Sequence, residues 1–315
     1  MCMTTDSPVI HLHSITKTFG NTTALDGLDL DVHPHEVHGL LGPNGAGKST
    51  TIRILLGLYR ATSGTARLFG QDPWVDPAAL HRRLAYVPGD VLLWPTLSGG
   101  EAIDLLVRMR GGDPTHSERD RLIETFELDP TKPIRAYSKG NRQKVALIAA
   151  FCLPTELYIL DEPTAGLDPL MEQRFKDEVA RVAAAGAAVL LSSHILSEVE
   201  ELADRVSIIR RGRRVETGSL DELRHLTRTR YTVEADLDPT RLQLISRIGQ
   251  DVQVDDGRVS FSAERDATGE VLRVLADTAV RGLVVTPPSL EELFLRHYHD
   301  EAPEPTAAAI GGAAR

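Results

Sequence analysis

Cysteine is nearly missing from this chain: its 315 residues include two, Cys2 at the terminus and Cys152 within an apolar run. Two thiols in such unlike contexts do not make a disulfide framework, and a reducing, cytoplasmic setting is expected. Long hydrophobic runs are missing too. The longest, Val145 to Leu153 and the stretch ending Val189-Leu190-Leu191, fall well short of the roughly 20 residues that cross a bilayer, so no spanning segment is expected. Positive charge is in deficit. A formal net charge of -10 argues against non-specific attraction to nucleic acid or to an anionic bilayer, and no nucleic-acid partner is expected. The opening Met-Cys-Met-Thr-Thr-Asp has neither the basic region nor the apolar core of a secretory signal. Internal repeats and sustained heptads are not evident.

What is present points to two structural units, given a prior of roughly one domain per 150 residues. In the first, residues 8–225, the segment from Val9 to about Thr65 reads as short strands. Within it Glu36 to Gly42 feeds a glycine-rich loop, and Thr51 to Leu58 follows at helical spacing. Residues 99–140 alternate apolar and charged positions at helical period, which predicts an inserted helical lobe. Beyond it the pattern predicts a helix (Gln143 to Leu153), a buried strand (Leu157 to Leu160) and a helix (Met171 to Ala184). A strand (Ala187 to Leu191) and a helix (Ile195 to Ala203) complete an alternation that implies a parallel sheet.

The pattern changes near Leu220, and residues 226–300 form the second unit. Its expected elements are a strand (Tyr231 to Leu237), a helix (Pro239 to Ile248), and a hairpin of Val252 to Val254 and Val259 to Ala263 around Asp256-Gly257. A helix (Thr268 to Ala279) and a strand (Leu283 to Val285) follow, giving the β-α-β-β-α-β order of a small ferredoxin-like domain. Ser289 to His297 reads as a capped terminal helix. Residues 301–315, made of Ala, Pro, Glu and Gly without periodicity, read as a disordered tail.

The chemistry begins at Gly42-Pro43-Asn44-Gly45-Ala46-Gly47-Lys48-Ser49, followed by Thr50. This is the spacing of a phosphate loop, in which backbone N–H groups and the next helix's N-terminus surround nucleotide phosphates. Lys48 would reach the β- and γ-phosphates and Ser49 would ligate Mg²⁺. Asp161 and Glu162 follow an apolar strand, at the edge where open α/β sheets bind ligands. Asp161 is placed to hold Mg²⁺ and Glu162 to orient or deprotonate water; taken alone, the pair would serve equally well to cap the next helix.

With these motifs in place the chain resembles an ABC transporter ATPase, in particular the drug and antibiotic exporter branch of daunorubicin or tetronasin type. The resemblance covers about residues 8–225. It implies an α/β fold: a P-loop nucleotide-binding domain with a mostly parallel sheet, an antiparallel β subdomain and an inserted helical lobe, ahead of the small α+β domain. It also implies that the loop through Ala165-Gly166-Leu167-Asp168 communicates between two subunits, and that His194 contacts the γ-phosphate. Phe19 would stack on adenine, with core packing as the rival role. Two stretches compete for the family's signature loop. Leu97-Ser98-Gly99-Gly100-Glu101 is the better literal match but lies too far before Asp161. Tyr137-Ser138-Lys139-Gly140-Asn141 leaves room for one helix, a turn and a strand, and is preferred. In the family this loop closes over ATP held by the other subunit. Lys139 stands where a glycine is usual, and reads as either an offset to triphosphate charge or a solvated side chain. Gly89 stands where the family has a glutamine, so either Asp90 supplies an oxygen ligand through water or coupling through this loop is altered.

The implied protein binds and hydrolyses ATP with Mg²⁺, pairs head to tail with a second copy, and sits at the cytoplasmic face of the membrane through a separate transmembrane permease. It would drive efflux of drugs, antibiotics or other hydrophobic compounds. An importer subunit, or a soluble ATPase of the same class acting on ribosomes, are the alternatives.

Overall fold

The computed structural model describes residues 7–225, 228–276 and 278–286. The chain divides into two compact units at Leu220/Asp221.

In the first unit the strands are β1 (Ile10–Phe19), β2 (Thr22–Val32), β3 (Val37–Leu41), β4 (Ser63–Leu68), β5 (Leu84–Val87), β6 (Leu157–Asp161), β7 (Ala188–Ser193), β8 (Arg205–Arg210) and β9 (Arg213–Ser219). They make a three-stranded sheet, β2-β1-β4, and a six-stranded sheet, β5-β6-β7-β3-β8-β9. The smaller sheet is antiparallel. The larger is parallel from β5 to β8, with β9 added antiparallel at one edge. Every residue of β3, β6 and β7 is buried. Their largely apolar character is what a parallel strand covered on both faces requires, and the polar exceptions are His38, Asp161, Ser192 and Ser193. β1 and β2 are longer than the short strands expected, because register shifts at Leu12/Ile15 and Ile15/Lys17 let the pair bend without parting. Ile10, Leu12, Leu28 and Leu30 of this sheet share one core with Leu40, Ile159 and Leu190 of the other.

The inserted lobe contains the helices Gly99–Met109 and Arg119–Thr125 and ends at the helix Lys139–Phe151. Ile103, Leu122 and Phe126 are fully buried, each burial stabilising by roughly 1.5–3 kcal/mol. Arg121 Nη1 donates to Glu178 Oε1 at 2.6 Å, which ties the lobe to the helix Pro169–Ala184. Cys152 is buried with its thiol pushed up to about 12 by desolvation, which leaves it protonated and unreactive.

The second unit runs β10 (Thr229–Glu234), a helix (Pro239–Ile248), β11 (Gly249–Asp255), β12 (Arg258–Ala263), a helix (Thr268–Leu275) and β13 (Gly282–Thr286). The sheet order is β11-β12-β10-β13 with every pairing antiparallel, the topology of a ferredoxin-like domain. Asp256 and Gly257, with φ of 37° and 78°, make the two-residue turn of the hairpin. Tyr231 and Phe261 stack at 5.1 Å inside a core with Ile245, Val271 and Leu275. The helix expected to reach Ala279 stops at Leu275, since Ala276 leaves helical geometry at ψ 144°. The expected helix Ser289 to His297 and the tail 301–315 lie outside the described residues. Among the described residues no helix is long and apolar enough to cross a membrane.

Candidate functional site

The site is assembled by strand register. β3, β7 and β6 lie side by side, with Leu41 opposite Ser193 and Ser192 opposite Asp161. Their C-terminal ends therefore deliver three loops to one place: Gly42–Ser49 after β3, Glu162 after β6 and His194 after β7. This is the crevice at strand carboxyl ends where α/β sheets bind ligands.

The helix after the first loop begins at Lys48, earlier than the Thr51 expected, because the loop's last glycine is itself the N-cap. Gly47 has φ 114°, and a Cβ there would stand 2.6 Å from Leu25 Cδ2, so neither the backbone nor the packing admits a side chain. Lys48 is buried; its Nζ donates to Gly42 O at 2.6 Å and Pro43 O at 3.3 Å, and lies 3.9 Å from Glu162 Oε1. Burial pulls its pKa below the usual lysine range, against the opposing pull of Glu162 and Asp161. A 140 Å³ cavity is lined by Ala24, Pro43, Asn44, Lys48, Thr50 and Glu162, among others.

Asp161 accepts from Ser192 Oγ at 2.8 Å and from Ser49 Oγ at 3.3 Å. Burial raises its pKa, the hydroxyl bonds lower it, the Glu162 charge raises it further and Lys48 opposes, with a net upward shift. Ser49 and Asp161 present hydroxyl and carboxylate oxygens, the hard donors that suit Mg²⁺, which fills its remaining positions with water and substrate phosphate oxygens. The residues present thus fit the ion expected from the sequence. Glu162 has φ 46°, a left-handed conformation costly for a side chain of its size, and is held there by a bond from its N–H to Ser192 O at 2.9 Å. His194 Nδ1 lies 3.2 Å from Glu162 Oε1. A carboxylate beside an imidazole and a buried ammonium is an arrangement suited to in-line attack of water on a phosphoryl group.

The two signature candidates are both helix N-caps. Ser98 caps Gly99–Met109 in a reciprocal box with Glu101. Ser138 caps Lys139–Phe151, accepting from Asn141 N at 3.2 Å, and that helix runs on into β6. Ser138 and Lys139 are exposed. Gly140 packs so closely on Gly166 that a Cβ would stand 2.4 Å from Gly166 O. Asp168 caps the helix Pro169–Ala184 through Met171 N at 3.0 Å. Phe19, 44% exposed, is not a core residue; its ring meets Tyr59 edge-on at 5.3 Å and Lys17 Nζ lies 4.8 Å from its centroid. Gly89 lies against the Asp161 backbone, where a Cβ would stand 3.2 Å from the carbonyl oxygen, whereas Asp90 is exposed.

Sequence reasoning passed over Gln143, Ser192 and Thr164. Gln143 is buried and donates from Nε2 to Pro163 O at 2.9 Å, joining the Ser138 helix to the Glu162 loop. These contacts span long sequence separations and leave no local pattern; a buried polar position on an apolar helix face was the one available signal.

The fold and the sequence have known relatives. The family model described as ABC transporter matches residues 25–165, and that described as ATP-binding protein DrrA1-3-like, C-terminal domain, matches residues 218–298. An uncharacterized ABC transporter ATP-binding protein, YhaQ of Bacillus subtilis (strain 168), is 33% identical over 91% of this chain and 97% of its own length. The daunorubicin/doxorubicin resistance ATP-binding protein DrrA of Streptomyces peucetius is 34% identical over 91% of each. A solved structure of an ATP binding subunit of an ABC transporter superposes with a TM-score of 0.65 at 32% identity, covering 69% of this chain and 92% of that one. Motor fold, phosphate-site geometry and similarity over 91% of the chain agree: this chain belongs to the ABC transporter ATP-binding proteins, with a DrrA-like C-terminal domain, and its activity is ATP hydrolysis coupled to transport.

Proposed function

We propose that this chain is the motor of an exporter that expels drugs, antibiotics or other hydrophobic compounds through a separate membrane subunit. The observation that carries the reading is the match of residues 218–298 to the DrrA-type C-terminal domain, together with similarity over 91% of each chain to a daunorubicin/doxorubicin resistance protein. A shared motor core alone would fit import equally well.

In this reading Lys48 and the backbone of Gly42–Ser49 hold the triphosphate, Ser49 and Asp161 hold Mg²⁺, and Glu162 orients the attacking water with His194 at the γ-phosphate. Ser138 and Gly140 serve the nucleotide of a second copy in a head-to-tail pair, and Phe19 stacks on adenine. The membrane subunit docks in a 630 Å³ groove between the core and the helical lobe, lined in part by Leu58, Leu92, Leu106 and Met109. Leu92 is 86% exposed and Met109 68%, an apolar surface that asks for a partner. The second unit stabilises the pair; truncation after Leu220 that left ATP-dependent dimerisation and turnover unchanged would remove that role.

The test is to tag the chain, introduce Glu162→Gln to hold the ATP-closed pair, and identify what co-purifies from detergent-solubilised native membranes with ATP present. A polytopic membrane protein supports the exporter reading, and drug-stimulated hydrolysis by the unmodified complex then addresses cargo. Recovery of ribosomes or soluble partners alone would overturn it.

A further inference from the structure

Glu198 is a buried carboxylate, 8% exposed, in the first turn of the helix Leu196–Leu202. A glutamate there commonly caps its own helix, but no side-chain hydrogen bond caps this one. Two hydroxyls from other segments meet it instead. Thr164 Oγ1 donates to Oε1 at 2.6 Å, and Ser193 Oγ donates to Oε2 at 2.9 Å. Thr164 stands two residues after Glu162, and Ser193 immediately precedes His194. Ser193 is fixed further by the Ile195 N–H, which donates to its Oγ at 2.9 Å.

Taking a carboxylate out of water is unfavourable unless its oxygens are matched by donors. Here each oxygen is matched by a different segment, Thr164 in the loop after β6 and Ser193 at the end of β7, and these segments carry or lead into the water-directing carboxylate and the phosphate-directed imidazole. From this geometry we propose that Glu198 is a positioning residue: it clips the Glu162 loop to the His194 loop and so sets the 3.2 Å spacing between Glu162 Oε1 and His194 Nδ1. The inference rests on the roles proposed above for Glu162 and His194. Glu198 touches no reacting atom; it acts through the alignment of groups that do, and misplacement of such groups by about 1 Å costs on the order of 10²-fold in rate.

The test uses the full chain and measures kcat and KM for ATP. Glu198→Ala is expected to lower kcat by roughly 10- to 100-fold with KM little changed. Glu198→Gln keeps one acceptor oxygen and offers an amide that a hydroxyl can accept from, so it should restore most of the rate. If Glu198→Ala does not fold, Thr164→Val removes one arm of the clip at nearly constant volume and should show the same split between kcat and KM. Parental kcat in Glu198→Ala and Thr164→Val, or a loss shared by KM or not restored by Glu198→Gln, overturns the inference. Glu162→Gln run in parallel separates the two readings. If it keeps turnover, the assignment of the site fails; if it is silent while the Glu198 and Thr164 variants run at the parental rate, only the clip fails.

Discussion

Lys48 Nζ and Glu162 Oε1 stand 3.9 Å apart, so the buried ammonium and the carboxylate after β6 partly neutralise one another across the site. Glu162→Gln removes the negative charge and keeps the shape. Nucleotide affinity should hold or rise, since the triphosphate no longer faces a carboxylate, while turnover falls by about 10²–10⁴-fold. Steady-state hydrolysis and equilibrium ATP binding check both halves; near-parental turnover would exclude Glu162 as the base.

Asp161 carries a pH signature of opposite sense to that of a salt-bridged carboxylate. Its pKa is raised, chiefly by burial. A raised carboxyl favours the fold while protonated, and that contribution is lost as pH rises through the raised value. Asp161→Asn should therefore raise the melting temperature near pH 7 in Mg²⁺-free buffer. The gain should fade below about pH 4, where the parent is protonated in both states. Thermal unfolding across that range decides it; a less stable variant at pH 7 would mean that Lys48 and the two serines outweigh burial.

Gly140→Ala tests the packing of the Ser138 helix on the loop after Glu162. The added methyl would stand 2.4 Å from Gly166 O, a backbone atom that cannot swing aside. Overpacking of this kind costs roughly 1–3 kcal/mol. Both a lower melting temperature and reduced ATP turnover are expected; a variant matching the parent in both would show that the loop relaxes freely.

Leu92→Asp places a charge on the most exposed apolar side chain of the groove. Hydrolysis by the isolated chain should be unchanged, while recovery with membranes and drug-stimulated turnover should fall at least tenfold, about 1.4 kcal/mol of docking energy. Unchanged recovery would remove the groove as the docking place.

Much of this molecule was legible in its sequence. The strand, glycine loop and helix around Lys48, and the apolar run ending in Asp161-Glu162, are local patterns with local causes, and β-α-β-β-α-β order in the second unit followed from turn residues such as Asp256-Gly257. Preferring Ser138 over Ser98 as the signature serine drew on the family's order of loop, helix and strand together with the lengths of those elements, and the helix Lys139–Phe151 does lead to β6. What stayed hidden is tertiary. Nothing near Glu198 announces that its oxygens meet Thr164 and Ser193, and nothing near Gln143 announces Pro163, because these bonds join segments that only the sheet brings together. The long bent pair β1–β2 also escaped, since bulges disturb the alternation by which strands are recognised.

The complete burial of β3, β6 and β7 has a consequence for how this site opens in time. Backbone amides in strands covered on both sides exchange with solvent only when the whole unit unfolds, whereas amides of exposed loops exchange through small local openings. Amides of Leu40, Ile159 and Leu190 should therefore be among the slowest in deuterium labelling, with those of Asn44 and Gly45 among the fastest. ATP should slow the loop amides without altering the strand amides, so the nucleotide would be felt as a local quieting of exchange on a floor that does not yield.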